Sequence, residues 1–129
     1  MKTGSCMCGA VAFEIHGPLD DVTACHCSQC RKQTGNYWAS THCADPDLKF
    51  TRTDGLKWFQ SSSFAKRGFC KECGSSLFWK TLDGKPVTSI CAGSIDGRTG
   101  LKLGGHIFTA DAGDYYEISG GSFRLPQGS

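Results

Sequence analysis

The chain has 129 residues, nine cysteines and a formal net charge of +2, a length that suits one domain with one modest core rather than two. No run of about 18 apolar residues occurs, so a membrane-spanning helix is not expected, and the absence of a dense Lys/Arg cluster argues against nucleic acid as a partner. Glycine makes up 17 of the residues, well above the usual share of about 7%, and that much glycine between short apolar runs points to a β-rich chain.

The stretch from Met1 to Cys6 lacks the apolar run of a secretory signal, so a cytoplasmic, reducing setting is expected. Nine cysteines there read as metal ligands or reactive thiols rather than disulfides, and an odd number cannot pair completely. Val11, Phe13 and Ile15 alternate with small or polar residues, a strand signal that Gly17-Pro18 ends. A second strand runs from about Val22 into Cys25. Ser28 to Thr34 has few breakers and reads as one or two helical turns, with Ser28 as N-cap and Gly35 closing it. Tyr37 to His42 is the next strand, Asp45-Pro46-Asp47 a turn, Leu48 to Phe50 a short strand, Thr53-Asp54-Gly55 a turn and Leu56 to Gln60 a strand.

Ser61 to Ser63 is a polar break, after which Phe64 to Phe69 leads into Cys70. Leu77 to Trp79 and Val87 to Cys91 are strands around a hairpin-type turn at Asp83-Gly84. Gly93 to Gly105 is turn-rich, with a short helix near Ser94-Ile95-Asp96, and His106 to Thr109 is a last strand. The tail from about residue 120 is polar and expected to be loose. The pattern predicts eight or nine short strands, little helix, no repeat and no linker: a single β domain over residues 1–129, its sheets packed like a sandwich.

Seven of the cysteines fall into clusters: Cys6-x-Cys8, Cys25-x-Cys27-x-x-Cys30 and Cys70-x-x-Cys73. Cys70-Lys71-Glu72-Cys73-Gly74 has the form of a zinc knuckle. Two thiolates three residues apart grip one ion through a tight turn, and the following glycine readily takes the positive φ that aims backbone N–H groups at sulfur. Cys6-Met7-Cys8-Gly9 is related in form. Together Cys6, Cys8, Cys70 and Cys73 supply the four thiolates of a closed structural zinc site, which would tie the chain's start to its middle and contribute to folding directly. The bland alternative is two unrelated reduced pairs.

Cys25, Cys27 and Cys30 are left as a triad, and three protein ligands plus an open position is the pattern of catalytic zinc. Three thiolates on a divalent ion leave a net charge of −1, which weakens activation of water and favours a soft, exchangeable ligand such as a substrate thiolate. Other readings stand beside this one. His26 or a distant histidine could close the site and make it structural, or the cluster could be metal-free and redox-active, or hold one disulfide and one thiol. His26 lies between two ligands and is expected to point away from the ion in an extended segment. Seven thiolates against two divalent ions would also bring the net charge from +2 to −1, removing the apparent basicity.

Taken together, Gly4-Ser5-Cys6-Met7-Cys8-Gly9-Ala10-Val11, Cys25-His26-Cys27-Ser28-Gln29-Cys30-Arg31-Lys32 and Phe69-Cys70-Lys71-Glu72-Cys73-Gly74 resemble the glutathione-dependent formaldehyde-activating enzyme family, also called centromere protein V-like. His106-Ile107-Phe108 and Tyr115-Tyr116 look like the family's C-terminal portion, and the resemblance runs from about residue 4 to 118, in the manner of the short members. It implies a β-tent of packed antiparallel sheets with two zinc ions, structural at Cys6, Cys8, Cys70 and Cys73, catalytic at Cys25, Cys27 and Cys30. It implies a carbon–sulfur lyase that acts on adducts of a small thiol, glutathione or a relative, with an aldehyde such as formaldehyde. The competing functional class is a zinc-stabilised protein-binding module without catalysis.

Outside the clusters, Trp38, Trp58, Phe59 and Trp79 are candidates to wall a substrate pocket, though buried aromatics are mostly core. Arg67 and Lys32 could meet the carboxylates of an anionic thiol, and more often such charges are solvated. His42 and His106 could move protons during thiol addition, against the commoner role of a hydrogen-bonded structural histidine. Cys43 and Cys91 read as small strand residues. Asp111, Asp114 and Glu117 read as surface.

Overall fold

Short runs of β-branched and aromatic residues broken by glycine and proline give strands and very little helix in a computed structural model, which describes residues 1–128. The strands are β1 (Lys2–Ser5), β2 (Ala12–Ile15), β3 (Val22–Cys25), β4 (Trp38–Ala44), β5 (Leu48–Arg52), β6 (Leu56–Gln60), β7 (Ala65–Cys70), β8 (Ser76–Thr81), β9 (Val87–Cys91), β10 (Leu103–Ile107) and β11 (Phe123–Arg124), with one α-helix, α1 (Ser28–Thr34). Single 3-10 turns occupy Asp45–Asp47, Ala92–Ser94 and Thr109–Asp111.

The chain divides into two compact units, Met1–Asp20 with His42–Thr99, and Asp21–Thr41 with the chain from Gly100 onward. In the first unit β1, β2 and β5 form an antiparallel sheet with β2 in the middle, Gly4 opposite Phe13 and Phe13 opposite Phe50. A second sheet runs β6-β7-β8-β9, and β4, whose residues His42 to Ala44 belong to this unit, lies next to β9. The two sheets close on Phe78 of β8, which is fully buried. Its ring meets Phe13 of β2 edge-on at 5.3 Å and Phe50 of β5 at 5.4 Å. Val11, Ile15, Leu77, Ile90 and Ile95 complete the apolar interior around them.

In the second unit β3 pairs antiparallel with β4, Cys25 opposite Trp38, and α1 follows β3 directly. Antiparallel pairing predominates in the molecule, as the sequence suggested, but β10 runs parallel to both β3 and β11. A parallel pair needs a long crossover, and the chain between Cys25 and Leu103 supplies one.

Several expectations are corrected in detail. The strand at Lys2–Ser5 reads as polar in sequence but is fixed by its partner β2. The strand at Ala65–Cys70 escaped notice because Arg67 broke the apolar alternation, yet Arg67 is itself buried. The last apolar strand stops at Ile107 because Phe108 takes a left-handed backbone, φ 55°. The segment from about residue 120, expected to be loose, carries β11. Its backbone is tied down by Leu125 N–H donating to the His106 carbonyl at 2.9 Å and Phe108 N–H donating to the Gln127 carbonyl at 3.0 Å.

Candidate metal centres

Two turns in the first unit bring four cysteines together. Cys6 and Cys8 lie between β1 and β2, Cys70 ends β7, and Cys73 precedes β8. Gly9 and Gly74 follow the second cysteine of each pair with φ of 82° and 79°, so each turn uses the positive φ that the motif called for. The Gly74 N–H donates to the Cys70 carbonyl at 2.8 Å, closing the knuckle. The four sulfurs lie within 4.8 Å of one another, with Cys6 to Cys8 and Cys8 to Cys70 both at 3.7 Å. Four thiolates bonded tetrahedrally to zinc at about 2.3 Å are separated by roughly 3.8 Å, so the spacing fits that ion, and none of the four forms a disulfide. Sulfur is also met by donors. Val11 N–H points at Cys6 Sγ from 3.3 Å. The Ser75 hydroxyl, then its backbone N–H, hold the Cys73 thiol down at about 5.

The second unit assembles the triad. Cys25 ends β3, Cys27 stands at the junction and Cys30 is in the first turn of α1. Their sulfurs also lie within 4.8 Å of one another, with no fourth His, Cys, Asp or Glu of the described residues in the group. Cys27, not Ser28, is the N-cap: its backbone is extended (φ −61°, ψ 161°) and its Sγ accepts from Cys30 N–H at 3.4 Å. A sulfur that receives a helix N–H is well placed to carry negative charge. Gly35 closes the helix in the left-handed conformation, as the sequence indicated. The neighbouring Cys27 and Cys30 sulfurs, and then burial, push the Cys25 thiol far up. Three thiolates at this spacing repel one another unless a cation sits among them, and that is the chemistry of a soft-metal donor set.

His26 points away from the sulfurs, as its place between two of them suggested, and is completely buried. Its Nε2 lies 2.9 Å from His106 Nδ1 and its Nδ1 2.9 Å from the Tyr116 hydroxyl. The far end of this chain places one proton. His106 Nε2 faces the carbonyls of Ser119 and Gly120 at 3.0 and 3.2 Å, so it carries the proton. One hydrogen bond joins His26 Nε2 and His106 Nδ1, and the Tyr116 hydroxyl, which also donates to the Asn36 carbonyl at 3.3 Å, stands on the other His26 nitrogen. Burial and the neighbouring His106 both lower the proton affinity of His26, consistent with a neutral ring. The chain ties the triad's loop to β10 and to the carbonyls of Ser119 and Gly120. His106 is buried and hydrogen-bonded through both ring nitrogens. Tyr115 adds a second fastening, its hydroxyl donating to the Gly35 carbonyl at 2.6 Å. Tyr37, whose ring packs 5.1 Å from His26, went unremarked in sequence, where nothing separates it from an ordinary strand aromatic.

Other candidates disperse. Of the four aromatics, only Trp38 shares a unit with the triad, where it is buried; Phe59 is largely exposed. Lys32 is exposed, but Arg67 is buried rather than solvated. His42 is half-exposed, 3.6 Å from Asp20. Cys43 is core, its thiol pushed up to about 11 by burial and then by Asp47 and Asp45. Burial also raises Cys91. Asp111, Asp114 and Glu117 are exposed.

The sequence matches the model of the glutathione-dependent formaldehyde-activating enzyme family over residues 1–111. The chain belongs to that family. Among curated proteins, a Schizosaccharomyces pombe protein named as an uncharacterized lyase is 27% identical over 124 residues, 90% of this chain and 84% of the relative. Among solved structures, a Rhodobacter sphaeroides protein is similar at 25% identity and a TM-score of 0.63, over 76% of this chain and 91% of the other. Both cysteine groups and the His26–His106 pair fall inside the stretch matched by the family.

Proposed function

We propose that the protein is a zinc-dependent carbon–sulfur lyase that makes or breaks the adduct of a small, glutathione-like thiol with an aldehyde such as formaldehyde. The observation that carries this reading is the convergence of three sulfurs, Cys25, Cys27 and Cys30, without a fourth protein ligand among the described residues. Family membership supports it. In this reading Cys6, Cys8, Cys70 and Cys73 hold a structural zinc, and Cys25, Cys27 and Cys30 hold the catalytic one.

Zinc bound by the triad would supply the positive charge that lets a thiol lose its proton near neutral pH. The chain's own residues do the rest. The three thiolates leave a net charge of −1, which disfavours hard water chemistry and favours exchange of a soft sulfur ligand. Cys27 is fixed by the Cys30 N–H, and the loop is fixed by the His26–His106–Tyr116 chain, so the donors are preorganised. In the synthetic direction a carbon–sulfur bond forms and the carbonyl oxygen takes up the proton that the thiol gave up. The reverse direction returns both.

The test combines metal content with exchange kinetics. The purified protein should contain two zinc ions and should accelerate the exchange between glutathione plus formaldehyde and their S-hydroxymethyl adduct, followed by NMR. Cys27→Ser should retain the fold and the four-sulfur zinc, lose the second zinc and lose the acceleration. Unchanged exchange in Cys27→Ser, or two sites each closed by four protein ligands, would sink the enzymatic reading and leave a zinc-stabilised binding module.

A further inference from the structure

A cavity of about 250 Å³ opens in the first unit, lined by Leu48, Phe50, Trp58, Lys66, Lys80, Asp45 and Thr88. It shares no residue with either cysteine group. Its aromatic walls are fixed by packing. Phe50 and Trp58 both rest on Phe78, at 5.4 and 6.0 Å between ring centroids. Trp58 also packs on Gly68, where a Cβ would come to 3.0 Å from the indole, so a larger residue there would push the ring by a few tenths of an ångström.

The polar groups divide into a satisfied set and one left over. The Lys80 ammonium is bound by the Asp45 carboxylate, and also donates to the Thr88 hydroxyl at 3.3 Å and to the Val87 and Lys85 carbonyls at 3.2 and 3.4 Å. The Thr88 hydroxyl donates to the other Asp45 oxygen at 2.7 Å. Lys80, Asp45 and Thr88 therefore neutralise one another and offer a ligand little. Lys66 differs. Its ammonium stands 4.4 Å over the Trp58 ring, and no carboxylate among the described residues pairs with it. With Lys80 offset by Asp45, the lining carries one uncompensated positive charge beside a rigid aromatic wall.

We infer that this cavity is a ligand site for a small aromatic monocarboxylate, with its ring against Trp58 and Phe50 and its carboxylate on Lys66. The volume lies below the range of about 300–1,000 Å³ that holds drug-sized ligands, so the ligand is one ring and a short acidic arm. Charge-assisted bonds to an ammonium at the edge of an apolar wall give such a site its selectivity. The inference goes beyond the proposed lyase activity and is independent of the metal ions.

The zinc-replete full chain, labelled with ¹⁵N, is titrated with phenylacetate, benzyl alcohol, benzylamine and acetate. Phenylacetate is expected to give saturable shifts at the amides of Phe50, Trp58 and Lys66. Benzyl alcohol and acetate, each lacking one half of the recognition, should bind at least about tenfold more weakly, and benzylamine should not bind. Lys66→Gln should weaken phenylacetate by about tenfold while Lys66→Arg retains most of the affinity, circular dichroism confirming that both fold. Absence of saturable shifts with phenylacetate, shifts confined to other residues, equal binding of benzyl alcohol, or an unchanged affinity in Lys66→Gln would each overturn the assignment. None of these outcomes bears on the lyase reading, which the Cys27→Ser experiment decides.

Discussion

Phe78 is the side chain on which both sheets of the first unit depend, touching Phe13, Phe50 and Trp58 from one fully buried position. Phe78→Ala is expected to cost about 3–5 kcal/mol, the usual range for removing a buried phenyl ring, measured by denaturant unfolding. Asp45 gives a pH-dependent term. Burial by itself would raise its carboxyl, but the Lys80 ammonium and the Thr88 hydroxyl outweigh that and hold it below the ordinary value. A carboxyl with a lowered folded pKa stabilises fully above the unfolded value of about 3.9 and loses that contribution as pH falls through the lower, folded one. Asp45→Asn should therefore be less stable than the wild type near neutral pH, and the difference should shrink below about pH 4. A constant difference across a pH series of unfolding curves would exclude the ion pair as its source. Single residues are also where sequence reading went furthest on chemistry. The cysteine pairs and the triad are visible in spacing because each turn is local, whereas nothing in the local pattern marks Arg67 as buried.

At the scale of elements, the helix α1 and the strand β10 decide how the triad is held. A thiol N-cap was missed because serine is the usual cap, and Ser28 stands one position too late. The strands β2, β3, β6 and β9 were legible because each is an alternating or continuous apolar run between turn residues. The strand β11 was not, because Phe123–Arg124 is too short and polar to carry a pattern and exists only through its pairing with β10. That pairing has a consequence that can be measured. The carbonyls of Ser119 and Gly120 face His106 Nε2, and Ser122 and Leu125 donate to the carbonyls of Gly104 and His106 on β10. Ending the chain after residue 121 should remove β11, speed amide hydrogen exchange in β10 and weaken metal binding at Cys25, Cys27 and Cys30 by about 10–100-fold, the range for losing outer supports of a metal site. The site at Cys6, Cys8, Cys70 and Cys73 serves as the internal control, and equal loss at both would point to general unfolding.

At the scale of the whole molecule, the two cysteine groups differ in what they join. The first ties the β1–β2 turn to the β7–β8 turn, more than sixty residues apart in sequence, so a metal held there would contribute to folding. The second spans six residues. Cys70→Ser is therefore expected to lower the thermal midpoint strongly and to reduce soluble yield, while Cys27→Ser loses its metal with little change in the midpoint. Comparable midpoints for the two variants would refute this division of labour. The sequence by itself determined the β class, the three short cysteine clusters and the family, because strand alternation and closely spaced cysteines are short-range patterns that survive without their surroundings. Only the tertiary structure decided the parallel placement of β10, the His26–His106–Tyr116 chain and the Lys66–Trp58 cavity. Each of these joins residues distant in the chain, and hydrogen-bond direction, burial and charge balance exist only once the fold has brought such residues together.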